Sequence, residues 1–248
     1  MPPRKRATTP SVSSAKRPTI RIREIVDVDD VAVRPAYRLL TQGFAREERV
    51  TLEEWLGTLR EKTACLMTDI DWHLFVAEKD DVVVGLASGM YLGNVNLGVI
   101  GYLAMVPEVR SLGIGTRLRT RLRRQFERDA IRIAGEPLKG IIGEVSLDNR
   151  WLRTLSLRPE VLVLDFKYYQ PSLYEGDSPS QFALYYEALQ RPRSRIPVSE
   201  LRRILYTVWR RIYRISRPLD DAAFRAILRS FGTRRAVGRL KLTPTKSR

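Results

Sequence analysis

The stretch RSLGIG, residues 110–115, constrains the fold more than any other part of the sequence. It lies between an apolar run, VIGYLAMV, and a long basic helical pattern, TRLRTRLRRQFERD. Two glycines at such a strand-to-helix junction leave backbone N–H groups uncovered at a helix N-terminus, where the helix dipole favours an anion. Arg110 adds a charged donor. The segment predicts a site for a phosphate-bearing ligand, although a tight turn beside a solvated basic helix fits the spacing equally well.

Two common phosphate-binding motifs do not match this stretch. A P-loop would end in Gly-Lys-Ser/Thr, which is missing here. A Rossmann fingerprint would place three glycines at the first strand-to-helix turn, whereas this segment has two and comes late in the chain.

The order of apolar patterns along the chain predicts a mixed α/β fold. A strand begins at residue 19 and is followed by two helices, three strands, a helix from Gly113 to about Ile133, a strand, a short helix and two closing strands. Thr51 and Glu54 have the spacing of a capping box, a tight turn is expected at 79–81, and Asp148 is expected to cap the short helix. Mixed strands and helices predict a mixed sheet with helices on its faces.

The segment LAMVPEVRSLGIGTRL resembles the acyl-CoA-binding motif of the GCN5-related N-acetyltransferases (GNATs), and the resemblance in element order covers roughly residues 19–190. It implies a mostly antiparallel, twisted sheet and acetyl-CoA as co-substrate. The strand before the loop would pair with the pantetheine arm through backbone groups of Leu103 and Met105, and Asn149 would contact the same arm. The implied pyrophosphate loop is Arg110, Ser111, Leu112, Gly113, Ile114, Gly115 and Thr116.

The same resemblance suggests catalytic residues and reveals one departure. EVSLDN is similar to the family's L-E-V-x-x-x-N, which implies that Glu144 is the general base, although an ordinary salt-bridged strand residue would look the same. The family's acid tyrosine falls on Ser156, so Tyr168, Tyr169 or Tyr102 would have to replace it. The implied function is acetyl transfer to a primary amine of a small molecule or protein. The alternative is a catalytically weak, CoA-binding module that acts in binding or assembly through its basic C-terminal arm.

Charge, composition and apolar pattern together divide the chain into four regions. The net charge of +16 is the sum of +7 in residues 1–23, −5 in residues 24–190 and +14 in residues 191–248, so the positive charge lies at the two ends. We expect a disordered basic tail (1–18), an acetyltransferase-like domain (19–190), a basic amphipathic helical extension (191–232) and a flexible basic tail (233–248). The apolar stripe of the extension predicts packing on the body of the chain or on a second copy in a homodimer. Its arginines equally suit nucleic acid or an anionic lipid surface.

Composition limits the other possibilities. One cysteine and one histidine rule out a His/Cys zinc site, and no metal is expected. Cys65 falls on a predicted helix and is expected to be a buried small residue. The longest apolar run, residues 97–106, is too short to span a bilayer, and the N-terminal residues lack the apolar segment of a secretory signal. We therefore expect a cytoplasmic protein.

Overall fold

The structure is a computed structural model that describes residues 20–241. The predicted disordered tail, 1–18, and the end of the predicted C-terminal tail, 242–248, lie outside the described residues.

The described residues form ten strands and six α-helices. The strands are β1 (Ile20–Ile25), β2 (Ile70–Lys79), β3 (Val82–Leu92), β4 (Leu97–Met105), β5 (Gly140–Ser146), β6 (Val161–Val163), β7 (Tyr168–Gln170), β8 (Ser180–Ala188), β9 (Arg195–Pro197) and β10 (Ala236–Gly238). The helices are α1 (Val33–Gly43), α2 (Leu52–Thr63), α3 (Ile114–Asp129), α4 (Arg150–Ser156), α5 (Val198–Arg211) and α6 (Ala222–Ser230).

Eight of the strands form one mixed sheet. The strand order is β1-β2-β3-β4-β5-β8-β6, and β7 pairs with β8. All neighbours are antiparallel except β4 and β5, which are parallel. The predicted fold class, a mostly antiparallel sheet flanked by helices, is confirmed.

Side chains alternate between the two faces of the sheet and build two cores. On β2, Leu74 and Val76 join the core that also contains buried residues of α1, α2 and α5, whereas Phe75 joins the core of α3. The apolar stripe of α3 is buried as its spacing predicted, since Leu122 and Phe126 are both 0% exposed.

Strands β4 and β5 separate partway along their length. Their pairing extends only from Leu97 opposite Gly140 to Ile100 opposite Gly143, although β4 continues to Met105. A bulge at Gly101 begins the unpaired part, because Ser88 pairs with Tyr102 while Gly89 pairs with Ile100. This divergence opens a cavity in the middle of the sheet.

Two local predictions hold and two are wrong. The capping box of Thr51 and Glu54 forms at the start of α2, and the predicted turn at 79–81 lies between β2 and β3. The expected buried Cys65 is exposed, because α2 ends at Thr63 and the cysteine lies in the following turn. The expected cap Asp148 is replaced by Asn149, whose Oδ1 accepts from the Trp151 amide at 2.9 Å.

The predicted docking of the C-terminal extension on the chain's own body is confirmed for α5. Leu205 and Trp209 are 0% exposed and belong to the same core as residues of α1 and α2. The prediction that the segment after Gly232 does not dock is wrong for residues 233–241. Strand β10 pairs with β9, Val237 is 0% exposed, and the Leu240 amide donates to Val163 O at 2.8 Å. Val237 supplies apolar burial that the sparse pattern of the segment did not suggest.

Within residues 20–241, no helix combines the length and the apolar character needed to cross a membrane.

Candidate functional site

The divergence of β4 and β5 creates a cavity of about 1160 Å³. One end is formed by the loop before α3 and by arginines of α3, and the other end by aromatic residues of the N-terminal half together with the segment that follows α5. Glu144, on β5, lines the cavity between these ends. A single continuous space therefore joins a basic end to an aromatic end.

The loop predicted to bind a phosphate lines the basic end. Ser111 and Gly113 both have a left-handed φ of 71°, a conformation that costs a serine roughly 1 kcal/mol or more. Gly113 precedes the first residue of α3, so the amides of Ile114, Gly115 and Thr116 belong to the first turn and have no acceptor within the helix. The loop thus presents several N–H donors on the axis of the α3 dipole.

Two guanidinium groups at this end are free to bind an anion. Arg110 and Arg124 both line the cavity, and within residues 20–241 neither has a carboxylate partner. Arg119 and Arg123 are different, since Arg119 pairs with the buried Glu187 and Arg123 with Glu127. Binding a phosphate at Arg110 or Arg124 would not require breaking an ion pair.

The unpaired edge of β4 forms the wall between the loop and Glu144. Leu103 and Met105 pair with Ala87 and Gly85 of β3 on one side, and beyond Ile100 no pairing with β5 covers the other side. A Cβ on Gly115 would lie 2.8 Å from Met105 Cε, so the glycine lets the loop pack closely against the side chain of this strand residue. The donors, cations and free strand edge fit the phosphates and the amide-containing arm of coenzyme A.

Glu144 is held by two tyrosine hydroxyls. Tyr168 donates to Oε1 at 2.5 Å, and the Tyr213 hydroxyl lies 2.7 Å from both Oε1 and Oε2. Burial raises the pKa of Glu144 above its ordinary value, and the two hydroxyl donors counteract part of this effect. Burial and the adjacent carboxylate raise the pKa of Tyr168 and of Tyr213 well above 10.

The structure places the tyrosines proposed as acids at different depths. Tyr168 is 0% exposed and is in contact with Glu144, but it does not line the cavity. Tyr169 points to the other face of its strand, where it lines a second cavity with Leu164 and Gln181. Tyr102 lines the main cavity, yet its hydroxyl already accepts from the Val50 amide and donates to Glu48 O. None of the three presents a free hydroxyl to the cavity.

The sequence analysis did not select a further tyrosine at this site. Tyr213 lines the cavity beside Glu144, although it belongs to the segment after α5, 69 residues farther along the chain. Ser156, at the position of the family tyrosine, is not part of the cavity wall, and its hydroxyl donates to Arg153 O. Tyr213 follows an apolar helical stripe, which signals burial but not the site that the side chain reaches.

The remaining predicted residue, Asn149, lines the cavity at the end of β5. Its side-chain oxygen is engaged as the N-cap of α4. Only its amide nitrogen remains to contact a ligand.

The aromatic end of the cavity combines apolar rings with acidic groups. Phe44, Trp55 and Trp72 line it together with Glu48 and Glu54. This composition suits a cation carried on an apolar body, since rings and carboxylates both attract positive charge.

Comparisons with known proteins agree with this architecture. Residues 41–134 match the model of the Acetyltransferase (GNAT) family. A GNAT-family protein from Bacteroides thetaiotaomicron has a similar structure, with a TM-score of 0.57 and 20% identity, covering 79% of this chain and 99% of that chain. An N-acetyltransferase from Staphylococcus aureus Mu50 is similar with a TM-score of 0.50 and 14% identity, covering 69% and 99%. Curated protein sequences give no significant match.

Proposed function

We propose that the chain is an acetyltransferase of the GNAT family, which transfers the acetyl group of acetyl-CoA to a primary amine of a small molecule or a protein. The observation that carries the proposal is that the loop before α3 and Glu144 face one cavity. The family match ends at residue 134, before Glu144, so the roles of Glu144 and of the C-terminal segment rest on their geometry.

Each part of the cavity has a task in this proposal. Acetyl-CoA, when bound, supplies the acetyl group as an activated thioester. The amides of the loop, with Arg110 and Arg124, bind its phosphates, and the free edge of β4 orients its pantetheine arm. N–H groups of the same edge, near Met105, are the candidate donors for the oxyanion that develops during transfer.

Glu144 handles the proton of the acceptor amine. An ammonium group cannot attack until it loses a proton, and a carboxylate can accept that proton directly or through one water. The carboxylate of Glu144 lines the cavity between the phosphate-binding end and the aromatic end. The pKa of Glu144 is raised and therefore lies closer to neutral pH than that of an ordinary glutamate, which suits a general base.

The aromatic end favours an acceptor with a positive charge and an apolar body. Glu48 and Glu54 add negative charge there, and Arg214, the cation on that wall, is paired with Glu61. An amine therefore approaches as an ammonium ion attracted by the site, and loses its proton only beside Glu144.

Binding and chemistry can be tested separately with one loop variant. Gly115→Glu places a carboxylate against the expected pyrophosphate and extends from a Cβ that already meets Met105 Cε at 2.8 Å, so it should abolish binding of acetyl-CoA and CoA. Gln125→Glu adds the same charge to α3, about 15 Å farther along the helix, and should bind normally. Thermal shift with acetyl-CoA, CoA and CoA lacking its 3′-phosphate measures binding, and release of free thiol with a panel of amines measures transfer.

The outcomes separate the two functions considered. Coenzyme binding with thiol release that depends on an amine supports the enzyme. Coenzyme binding without release from any amine would favour the catalytically weak binding module. Unchanged coenzyme affinity in a folded Gly115→Glu protein would contradict the assignment of the loop.

A further inference from the structure

The C-terminal extension reaches into the proposed active site through Tyr213. We propose that Tyr213 is a positioning residue for Glu144, whose carboxylate it holds ionised and oriented at the cavity. This inference rests on the proposed function, because it assigns Glu144 a task as base. It adds an element to the site that lies outside the family match at residues 41–134.

The geometry distinguishes Tyr213 from the other hydroxyl on the same carboxylate. Tyr168 approaches Oε1 from the core, where it is 0% exposed. Tyr213 lies 2.7 Å from both oxygens and lines the cavity, so it stands on the side from which a ligand would enter. Tyr168 anchors the carboxylate from behind, and Tyr213 sets its direction at the cavity.

The backbone after α5 fixes Tyr213 in this place. The amides of Ile212 and Tyr213 both donate to Val208 O, and the Ile215 amide donates to Trp209 O at 3.0 Å. The ring of Tyr213 packs edge-to-face on Trp209 with centroids 6.5 Å apart. These contacts tie the tyrosine to a helix that is part of the main core.

A second attachment lies one residue beyond. Arg214 has a left-handed φ of 55°, which turns the chain sharply, and its guanidinium makes two 2.7 Å bonds to the carboxylate of Glu61 on α2. A bidentate pair of this kind fixes direction as well as distance. The tyrosine is therefore held between α5 and a clamp on α2.

Hydroxyl donors take the place of a cation at Glu144. Within residues 20–241 no lysine, arginine or histidine forms an ion pair with this carboxylate. The titratable groups packed around it are Tyr168 from β7, Tyr213 from the extension and Tyr102 from β4. Burial raises the pKa of Glu144, whereas hydrogen bonds from Tyr168 and Tyr213 favour the charged form and lower it. Removing the Tyr213 hydroxyl should raise this pKa further.

The conservative variant Tyr213→Phe removes one hydroxyl and keeps the ring. The acidic limb of its kcat/KM profile should move to higher pH, with about a tenfold loss at low pH that disappears at high pH, because the base is less often ionised. KM for acetyl-CoA should not change. The matched control is Tyr206→Phe on α5, since Tyr206 is 40% exposed and its ring contacts Phe224. A uniform loss at all pH values, or an unmoved profile, would overturn the proposal.

A direct titration tests the same pair without any activity. The side-chain carboxyl carbon of Glu144, followed by 13C NMR, should titrate at higher pH in Tyr213→Phe than in the wild type, and at its wild-type pH in Tyr206→Phe. If no amine accepts an acetyl group but this shift occurs, the proposed function fails and the positioning contact stands. If transfer occurs without the shift, only the positioning proposal fails.

A reciprocal measurement applies if Tyr213→Phe does not fold. In the wild-type protein the Cζ resonance of Tyr213 should respond to the titration of Glu144, and in Glu144→Gln this response should vanish. The resonance of Tyr206 should show no such response in either protein. A Tyr213 resonance that ignores the carboxylate would overturn the proposal.

Discussion

Glu144 shows how an environment decides the role of a single residue. The sequence allowed either a catalytic base or a salt-bridged strand residue. Among the described residues no cation pairs with its carboxylate, and two phenolic hydroxyls bind it instead. A carboxylate that is half-buried, satisfied by neutral donors and in contact with a cavity is typical of a tuned acid–base group rather than of a structural ion pair.

The role of Glu144 can be tested by removing its charge. Glu144→Gln should lower kcat at neutral pH about 100-fold, while acetyl-CoA affinity stays within about twofold. Part of the rate should return at higher pH, because free amine then no longer needs the base. Glu175→Gln, at an exposed position, provides the control. Equal rates for Glu144→Gln and the control at every pH would assign the proton to water or to another residue.

At the level of elements, the C-terminal region is part of the fold to residue 241. Helix α5 packs in the same core as α1 and α2, and β9 and β10 form a separate two-stranded sheet. Val237 on β10 is 0% exposed, and Arg239 bridges Leu164 next to β6. Short strands of this kind have little apolar periodicity, and the residues on which they pack are distant in the sequence. Local sequence patterns therefore do not predict their docking.

A pair of matched substitutions tests this docking. Val237→Asp buries an unpaired charge and should reduce the free energy of unfolding by about 3 kcal/mol or more. Leu219 also lies in the C-terminal region but is 56% exposed, so Leu219→Asp should change the free energy of unfolding by about 0.5 kcal/mol or less. Denaturant unfolding of both variants provides the measurement. Similar small effects would restore the original prediction of a free tail.

At the level of the whole molecule, a charge network centred on the buried His73 connects elements that are far apart along the chain. His73 is 1% exposed, with Nε2 at 2.7 Å from Asp129 and Nδ1 at 2.6 Å from Glu24. Lys62 and Arg132 complete the network, which joins β1, β2, α2 and the end of α3. Three carboxylates, on Glu24, Asp71 and Asp129, face the three cationic groups of Lys62, Arg132 and protonated His73, so the charges of the network balance.

This network should make stability depend on pH. Burial opposes the charge on His73, yet hydrogen bonds from the ring to Asp129 and Glu24 prevail and raise its pKa above 6.5. The stability from protonated His73 is complete below pH 6.5 and is lost as the pH rises through the higher folded pKa. The pKa values of Glu24 and Asp129 are lowered, so their contribution is lost only as the pH falls through those values.

Thermal and denaturant unfolding at several pH values would check this behaviour. Wild-type stability should fall as the pH rises above about 6.5 and through the raised pKa of His73, because His73 then loses its proton. His73→Gln should be less stable at about pH 6, by about 3 kcal/mol, because Glu24 and Asp129 lose their shared cation. Its stability should then change less over the same interval. Parallel pH profiles for the two proteins would rule out His73 as the source.

Local sequence determined the elements and the candidate phosphate-binding end of the site. The apolar stripe of α3, the capping box of α2 and the turn at 79–81 all depend on residues within a few positions of each other. The RSLGIG loop is of the same kind, since its left-handed residues and uncovered amides are consequences of the chain around Gly113. The end of α2 before Cys65 and the N-cap of α4 at Asn149 were predicted wrongly by one or a few residues, because helix ends depend on small energy differences.

The tertiary structure decided how the remaining groups meet. Glu144 and Tyr213 are 69 residues apart, and Ser156, which the family pattern places at the acid position, lies outside the cavity. No periodicity specifies such a contact, because it depends on the angle at which α5 packs and on the turn at Arg214 that follows it. Sequence alone therefore located the candidate phosphate-binding loop at the start of α3, whereas only the packing of a distant helix determined which hydroxyl faces Glu144.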